Sequence, residues 1–233
     1  MESVDKEQSL KALAAVMMEL KTALGIFAKQ PVAGRVKTRL CPPFSAAEAA
    51  ALYRCSLEET VALAVAAGFA PVIFFDGNVD WFQQAFPGVR LVPQGEGGLG
   101  VRLERALKLL RAEGCEAVAI IGSDSPDLPA TLLAEAFAAL READSVVAPA
   151  RDGGYVLIGE RRHVPELFRD IPWSTDQVLA ITRRRAVEAA VELREIGGWE
   201  DIDDIESLRR LLARSPASAT ARHAAGLLAS YRL

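Results

Sequence analysis

Between Lys29 and Leu40 the chain reads Lys-Gln-Pro-Val-Ala-Gly-Arg-Val-Lys-Thr-Arg-Leu, which places four cations, Lys29, Arg35, Lys37 and Arg39, around one glycine, Gly34. Such a segment can wrap a polyphosphate, because glycine lets the backbone approach closely while lysine and arginine neutralise charge and supply hydrogen-bond donors. It has neither the GxxxxGK[ST] spacing of a P-loop nor the GxGxxG of dinucleotide-binding folds. A solvated surface loop also tolerates four charges, but the density of cations in a chain of net charge −4 favours phosphate.

Two acidic segments could complement it. Gly122-Ser123-Asp124-Ser125-Pro126-Asp127-Leu128-Pro129 holds two carboxylates, and a carboxylate opposite a phosphate loop is the arrangement with which Mg²⁺ bridges protein and phosphates. Asp124 is assigned to the metal and Asp127 to capping the helix that starts near Pro129. Trp199-Glu200-Asp201-Ile202-Asp203-Asp204 is the second segment. Asp204 and Glu206 suit a helix start, whereas Asp203 or Asp201 becomes a metal ligand only if this loop folds back beside Asp124. Gln94-Gly95-Glu96-Gly97-Gly98-Leu99-Gly100 would permit backbone contact with a flat ligand such as a base. Asp152, in Asp152-Gly153-Gly154-Tyr155, could touch an acceptor. Both glycine-rich stretches could equally be tight turns.

The elements that must position these residues alternate along the chain. Strands are expected at 23–28, 71–75, 89–92, 117–121, 145–149, 155–158 and 192–196, and helices at 45–67, 99–112, 130–141, 175–190, 205–213 and 217–232. Ala117 to Ile121 is apolar throughout, as in a strand buried on both faces. The pattern predicts an α/β fold with a mostly parallel central sheet and helices on both faces, mixed if 145–149 and 155–158 pair through a turn. Ligands of such sheets bind beyond the carboxyl ends of the strands, where the basic and acidic segments fall.

Of 233 residues, 51% are hydrophobic and 25% charged, with 27 Lys+Arg against 31 Asp+Glu. This excludes long disorder and disfavours a nucleic-acid coat. Cys41, Cys55 and Cys115 form no CxxC, and His163 and His223 stand apart from them and from any GxSxG, so a disulfide framework, a zinc site and a hydrolase triad are not expected. The start lacks a basic, cleavable signal and no apolar run is long enough to span a membrane, so a cytoplasmic location is expected. Leu10, Leu13, Val16, Met17 and Leu20 recur at helical spacing and predict an amphipathic N-terminal helix.

In order, the 27–40 segment, Gly98-Leu99-Gly100, the 122–129 loop, Asp152 to Gly159, Pro172-Trp173-Ser174-Thr175 and Trp199 to Asp203 resemble a bacterial GT-A-type glycosyltransferase-like family. It belongs to the nucleotide-diphospho-sugar transferase superfamily and is related to molybdenum-cofactor and 2-phospho-lactate guanylyltransferases. The resemblance implies a GT-A fold over 23–213, with 1–22 an N-terminal helical extension and 214–233 a helical tail, either of which could form a homo-oligomer contact. It implies that Lys29, Gly34, Arg35, Lys37 and Arg39 hold nucleotide phosphates, Leu99 and Gly100 the base, and Asp124 and Asp203 Mg²⁺ or Mn²⁺. Lys37, Asp124 and Asp152 form the expected catalytic set, Asp152 as base. The implied function is metal-dependent transfer of a sugar from a nucleotide-sugar donor to a small acceptor. The alternatives are a nucleotidylyltransferase that joins an NTP to a phosphorylated acceptor with release of pyrophosphate, and a non-catalytic nucleotide-binding module.

Overall fold

The computed structural model describes residues 21–232, and the amphipathic stretch up to residue 20 lies outside them. Seven strands form one sheet: β1 (Thr22–Lys29), β2 (Val72–Asp76), β3 (Arg90–Pro93), β4 (Ala117–Gly122), β5 (Ser145–Pro149), β6 (Tyr155–Glu160) and β7 (Leu193–Glu195). Their spatial order is β3-β2-β1-β4-β6-β5-β7. All neighbouring pairs are parallel except those of β6, which runs antiparallel to both β4 and β5. The helices are α1 (Ala46–Ala66), α2 (Val79–Ala85), α3 (Leu99–Ala112), α4 (Ala130–Ala139), α5 (Val178–Glu188), α6 (Ile205–Arg214) and α7 (Ala219–Ser230). This is the GT-A-like, mostly parallel α/β sheet expected from the alternation of elements. Among the described residues, no helix is long and apolar enough to cross a membrane.

Side-chain alternation along the central strands builds a core on each face. Ala117, Ala119 and Ile121 of β4 join Leu24, Ile26 and Ala28 of β1 under α1 and α4. Val118 and Ile120 join Leu103, Leu107 and Leu110 of α3 on the other face. A third cluster, with Leu52, Leu208, Leu211, Ala221, Ala224 and Leu228, packs α7 against α1 and α6. The N-terminus of α1 is fixed by a capping box between Ser45 and Glu48.

Several expectations need correction. The seven-residue α2 lies between the strands expected at 71–75 and 89–92, where no helix is predicted, and starts where the Asn78 side chain accepts the Asp80 N–H at 2.7 Å. The helix expected from Thr175 begins only at Val178. The Thr175 hydroxyl donates to the Pro172 carbonyl at 2.7 Å, Ser174 sits at φ 66°, and the Leu179 N–H donates to the Gly153 carbonyl at 2.9 Å. Residues 172–177 therefore cross the top of the sheet as an irregular strap. Asp127 caps nothing: the N-cap of α4 is Pro129, without a side-chain bond. The Asp127 carboxylate instead receives Arg214 Nε at 2.6 Å, the Ser215 hydroxyl at 2.7 Å and Trp199 Nε1 at 3.2 Å.

Candidate functional site

A cleft of about 650 Å³ opens beyond the carboxyl ends of β1 and β4 and is roofed by the 172–177 strap. The segment after β1 forms one wall. The Lys29 N–H donates to the Tyr53 hydroxyl at 2.9 Å, and the Arg35 N–H donates to the Val32 carbonyl at 2.9 Å, which closes the turn around Gly34 at φ 77°. Gly34 is exposed and does not itself line the cleft, whereas Lys29, Arg35, Lys37 and Arg39 do. Lys37 adopts a left-handed backbone (φ 47°) ahead of a short 3-10 turn at Thr38–Leu40, and its side chain turns inward with 7% exposure. Its Nζ lies 2.9 Å from Asp124 Oδ2 and 2.8 Å from Asp203 Oδ1. Arg39 stays 72% exposed, its guanidinium 3.6 Å from Asp203 Oδ2.

The late acidic loop folds back onto β4. The Ile202 N–H donates to the Asp124 carbonyl at 2.9 Å, the Trp199 N–H to the Pro149 carbonyl at 2.9 Å, and the Asp203 N–H to the Ser207 hydroxyl at 2.9 Å. Arg214 binds both Asp127 and Glu200 and lies 5.1 Å from the Trp199 ring, tying α6 to both acidic loops. Carboxylate oxygens of Asp124, Asp201 and Asp203 consequently all lie within 4.8 Å of one another.

The cluster is dominated by carboxylates, with one buried ammonium among them. Burial would lower the pKa of Lys37, but the Asp124 and Asp203 carboxylates outweigh it and hold the ammonium above its ordinary value. Burial, with Asp124 and Asp203 adding to it, pushes the Asp201 carboxyl up to about 7; Lys37 pulls the other way and Asp152 adds further repulsion. Three carboxylates against one ammonium leave about two negative charges when all are ionised, and hard oxygen donors suit Mg²⁺ or Mn²⁺. The residues present fit a divalent ion.

A pH prediction follows. A carboxyl whose folded pKa is raised holds its proton in the folded state between its unfolded value, about 4, and about 7, so its contribution to stability is lost as pH rises through that window. We expect Asp201→Asn, in the absence of metal, to raise the melting temperature at pH 8 but not at pH 4, and to weaken the stabilisation that Mg²⁺ confers on the native protein. Melting curves across pH, with and without Mg²⁺, check both signs, and a variant that melts lower at pH 8 contradicts the assignment.

At the other end of the cleft the glycine-rich loop leads into α3. Gln94 is buried and donates to the Phe74 carbonyl at 2.9 Å and the Ala28 carbonyl at 3.3 Å, while Arg105 binds the Gln94 and Glu96 carbonyls. Gly95 and Gly97 take φ of 76° and 104°. Leu99 is 43% exposed towards the cleft. Gly100 is required by close approach, since a Cβ there would lie 2.5 Å from Trp173 Nε1. Asp152 lines the cleft, its Oδ1 accepting the Gly154 N–H at 2.9 Å.

Tyr53 was not foreseen. Its buried hydroxyl receives the Lys29 N–H and lies 2.7 Å from the Ser123 hydroxyl, and Ser56 donates to the Ser123 carbonyl at 2.9 Å. One face of α1 thus pins the start of the basic segment to the loop that carries Asp124. The signal was there in Tyr53, Ser56 and Thr60, polar residues at helical spacing among Leu52, Leu57 and Val61. Tyr53→Phe leaves the Lys29 N–H and the Ser123 hydroxyl without this partner, and we expect a loss of about 1–3 kcal/mol. Urea denaturation measures it, and an unchanged midpoint would show that the clasp carries no energy.

Residues 60–175 match a family model described as "Uncharacterized protein conserved in bacteria (DUF2064)". The match spans the glycine-rich loop, Asp124 and Asp152, but neither the basic segment nor Asp201 and Asp203. No curated protein matches the chain. Among solved structures, a candidate nucleotide-diphospho-sugar transferase from Desulfovibrio desulfuricans is 28% identical, with a TM-score of 0.85 over 91% of this chain and 97% of that one. CMP:2-keto-3-deoxy-manno-octonic acid synthetase complexed with CTP is 12% identical, with a TM-score of 0.52 over 83% and 97% of the two chains. A Mycobacterium tuberculosis protein solved with manganese is 19% identical, with a TM-score of 0.51 over 83% and 98%. The chain thus has a GT-A-like fold similar to that of a candidate nucleotide-diphospho-sugar transferase, and its residues 60–175 match the DUF2064 family model.

Proposed function

We propose that the protein is a metal-dependent transferase that takes a sugar from a nucleotide-sugar and places it on a small acceptor hydroxyl, with residues 23–213 as the transferase unit. The observation that carries this reading is the junction of Lys37 with Asp124 and Asp203, beside Asp201, in a cleft also lined by Lys29, Arg35 and Arg39. The 28% identical neighbour, described as a candidate enzyme of this type, supports it.

Arg35, Arg39 and Lys29 would bind the diphosphate of the donor, and Leu99 with the 94–100 loop would face its base. A divalent ion held by Asp124, Asp201 and Asp203 would supply positive charge to the departing diphosphate. Lys37, positioned by the same carboxylates, adds a second fixed cation whose orientation precedes the reaction. Asp152 would accept the proton of the acceptor hydroxyl. The oxygen of the acceptor would then bond to the anomeric carbon as the bond from that carbon to the diphosphate oxygen breaks, and the nucleoside diphosphate would leave with the bonding pair.

A second reading is nucleotidyl transfer, favoured by the fold shared with a synthetase that binds CTP. The two differ in their small product. We expect nucleotide-sugars with Mg²⁺ to yield nucleoside diphosphate; nucleoside triphosphates yielding pyrophosphate instead would transfer the assignment to the second reading.

A further inference from the structure

The charges that line the cleft are segregated. All four cations, Lys29, Arg35, Lys37 and Arg39, come from the end of β1 and the segment that follows it, and Lys37 is already taken by Asp124 and Asp203. Among the described residues, the opposite wall presents Asp152 and Asp176 and no cation. Arg151, next in sequence, does not line the cleft and pairs with Glu200 at 3.6 Å. The wall is a built surface. A Cβ on Gly153 would collide with the Asp176 carbonyl, and the Leu179 N–H is bonded to the Gly153 carbonyl at 2.9 Å, so the Asp152 turn and the Asp176 strap are fixed to each other. Beside them Tyr155 and Trp173 meet edge to face, with centroids 6.2 Å apart and an interplanar angle of 87°.

From this we infer that the acceptor is a polyhydroxy compound carrying no anionic group, a sugar or sugar-like alcohol with or without an amine, and that phosphorylated acceptors are rejected by the wall itself. The inference rests on the glycosyl-transfer reading and deepens it. Carboxylates accept hydrogen bonds from adjacent hydroxyls, and the aromatic pair offers a flat apolar face to the C–H side of a sugar ring. A phosphate placed there meets two carboxylates with no compensating cation on that wall. Like-charge juxtaposition rejects a ligand even where its shape fits.

The test uses the full chain with Mg²⁺ and a mixture of ADP, CDP, GDP and UDP filling the donor side, so that added phosphates report only on the far wall. Saturation-transfer NMR then compares matched probes: glycerol with glycerol phosphate, glucose with glucose phosphate, ribose with ribose phosphate, and glucosamine. We expect at least one uncharged or amine-bearing probe to bind and its phosphate to bind at least tenfold more weakly. Asp176→Asn should narrow that ratio and Asp176→Lys should reverse it. A phosphate that binds as well as its parent, or no binding by any parent compound, overturns the inference. The same samples record nucleoside diphosphate binding separately, so loss of the donor reading is visible as absence of nucleotide and leaves the acceptor comparison to be judged alone.

Discussion

Asp124→Ala is expected to lower turnover by about 10³-fold or more, the scale of several kcal/mol of charge stabilisation lost from a metal-assisted step, while the fold persists. The persistence follows from how Asp124 is built in. Its backbone carbonyl, which the substitution keeps, receives the Ile202 N–H and so continues to hold the late acidic loop on β4. The loss falls on the side chain, which bonds Lys37 Nζ and lies in the carboxylate cluster with Asp201 and Asp203 that we propose holds the metal. Lys37 retains Asp203 at 2.8 Å, so no buried charge is stranded. Steady-state kinetics with Mg²⁺, set beside a melting curve, separates the outcomes. Unchanged turnover removes Asp124 from the mechanism, and a collapsed melting temperature makes its role structural.

Lys37→Met has the opposite signature. Removing the ammonium leaves Asp124 and Asp203 facing each other across the position it occupied, and like charges at that range repel. Breaking a fully buried pair costs about 3–5 kcal/mol. The two carboxylates here are 32% and 35% exposed, so solvent screening reduces the expected loss to about 1–3 kcal/mol. Mg²⁺ should return most of the stability, because it neutralises the same charges, but not the turnover, which should stay about 100-fold down for want of the fixed cation on the phosphates. Full recovery of turnover with Mg²⁺ would reduce Lys37 to a placeholder in the metal-free protein.

Much of this site is legible in the sequence because its chemistry is local. The four cations of 29–39 lie within one turn-rich segment, and Asp124 follows a strand that its own apolar run announces. What was not legible depends on distance along the chain. Whether Asp201 and Asp203 meet Asp124 is decided by the Ile202 to Asp124 bond and by Arg214, which binds both Glu200 and Asp127, the latter 87 positions away. The same network explains the misreading of Asp127: its proline-flanked position looks like a cap, and only the fold brings Arg214 to it. The late start of α5 has a similar cause. Thr175 to Gln177 carry no helix breaker, and the strap is held instead by the Gly153 turn, a partner in another hairpin. In the basic segment, Gly34 proved to shape the turn rather than line the cleft.

The most direct test of the central claim, that the carboxylate cluster and the basic segment form one metal-and-diphosphate site, is a calorimetric titration of the native protein with nucleoside diphosphates in Mg²⁺ and again in EDTA. The account predicts binding that strengthens at least tenfold with Mg²⁺, with the Mg²⁺ effect abolished in Asp124→Ala. Equal affinity in Mg²⁺ and EDTA, or an undiminished Mg²⁺ effect in that variant, would contradict it.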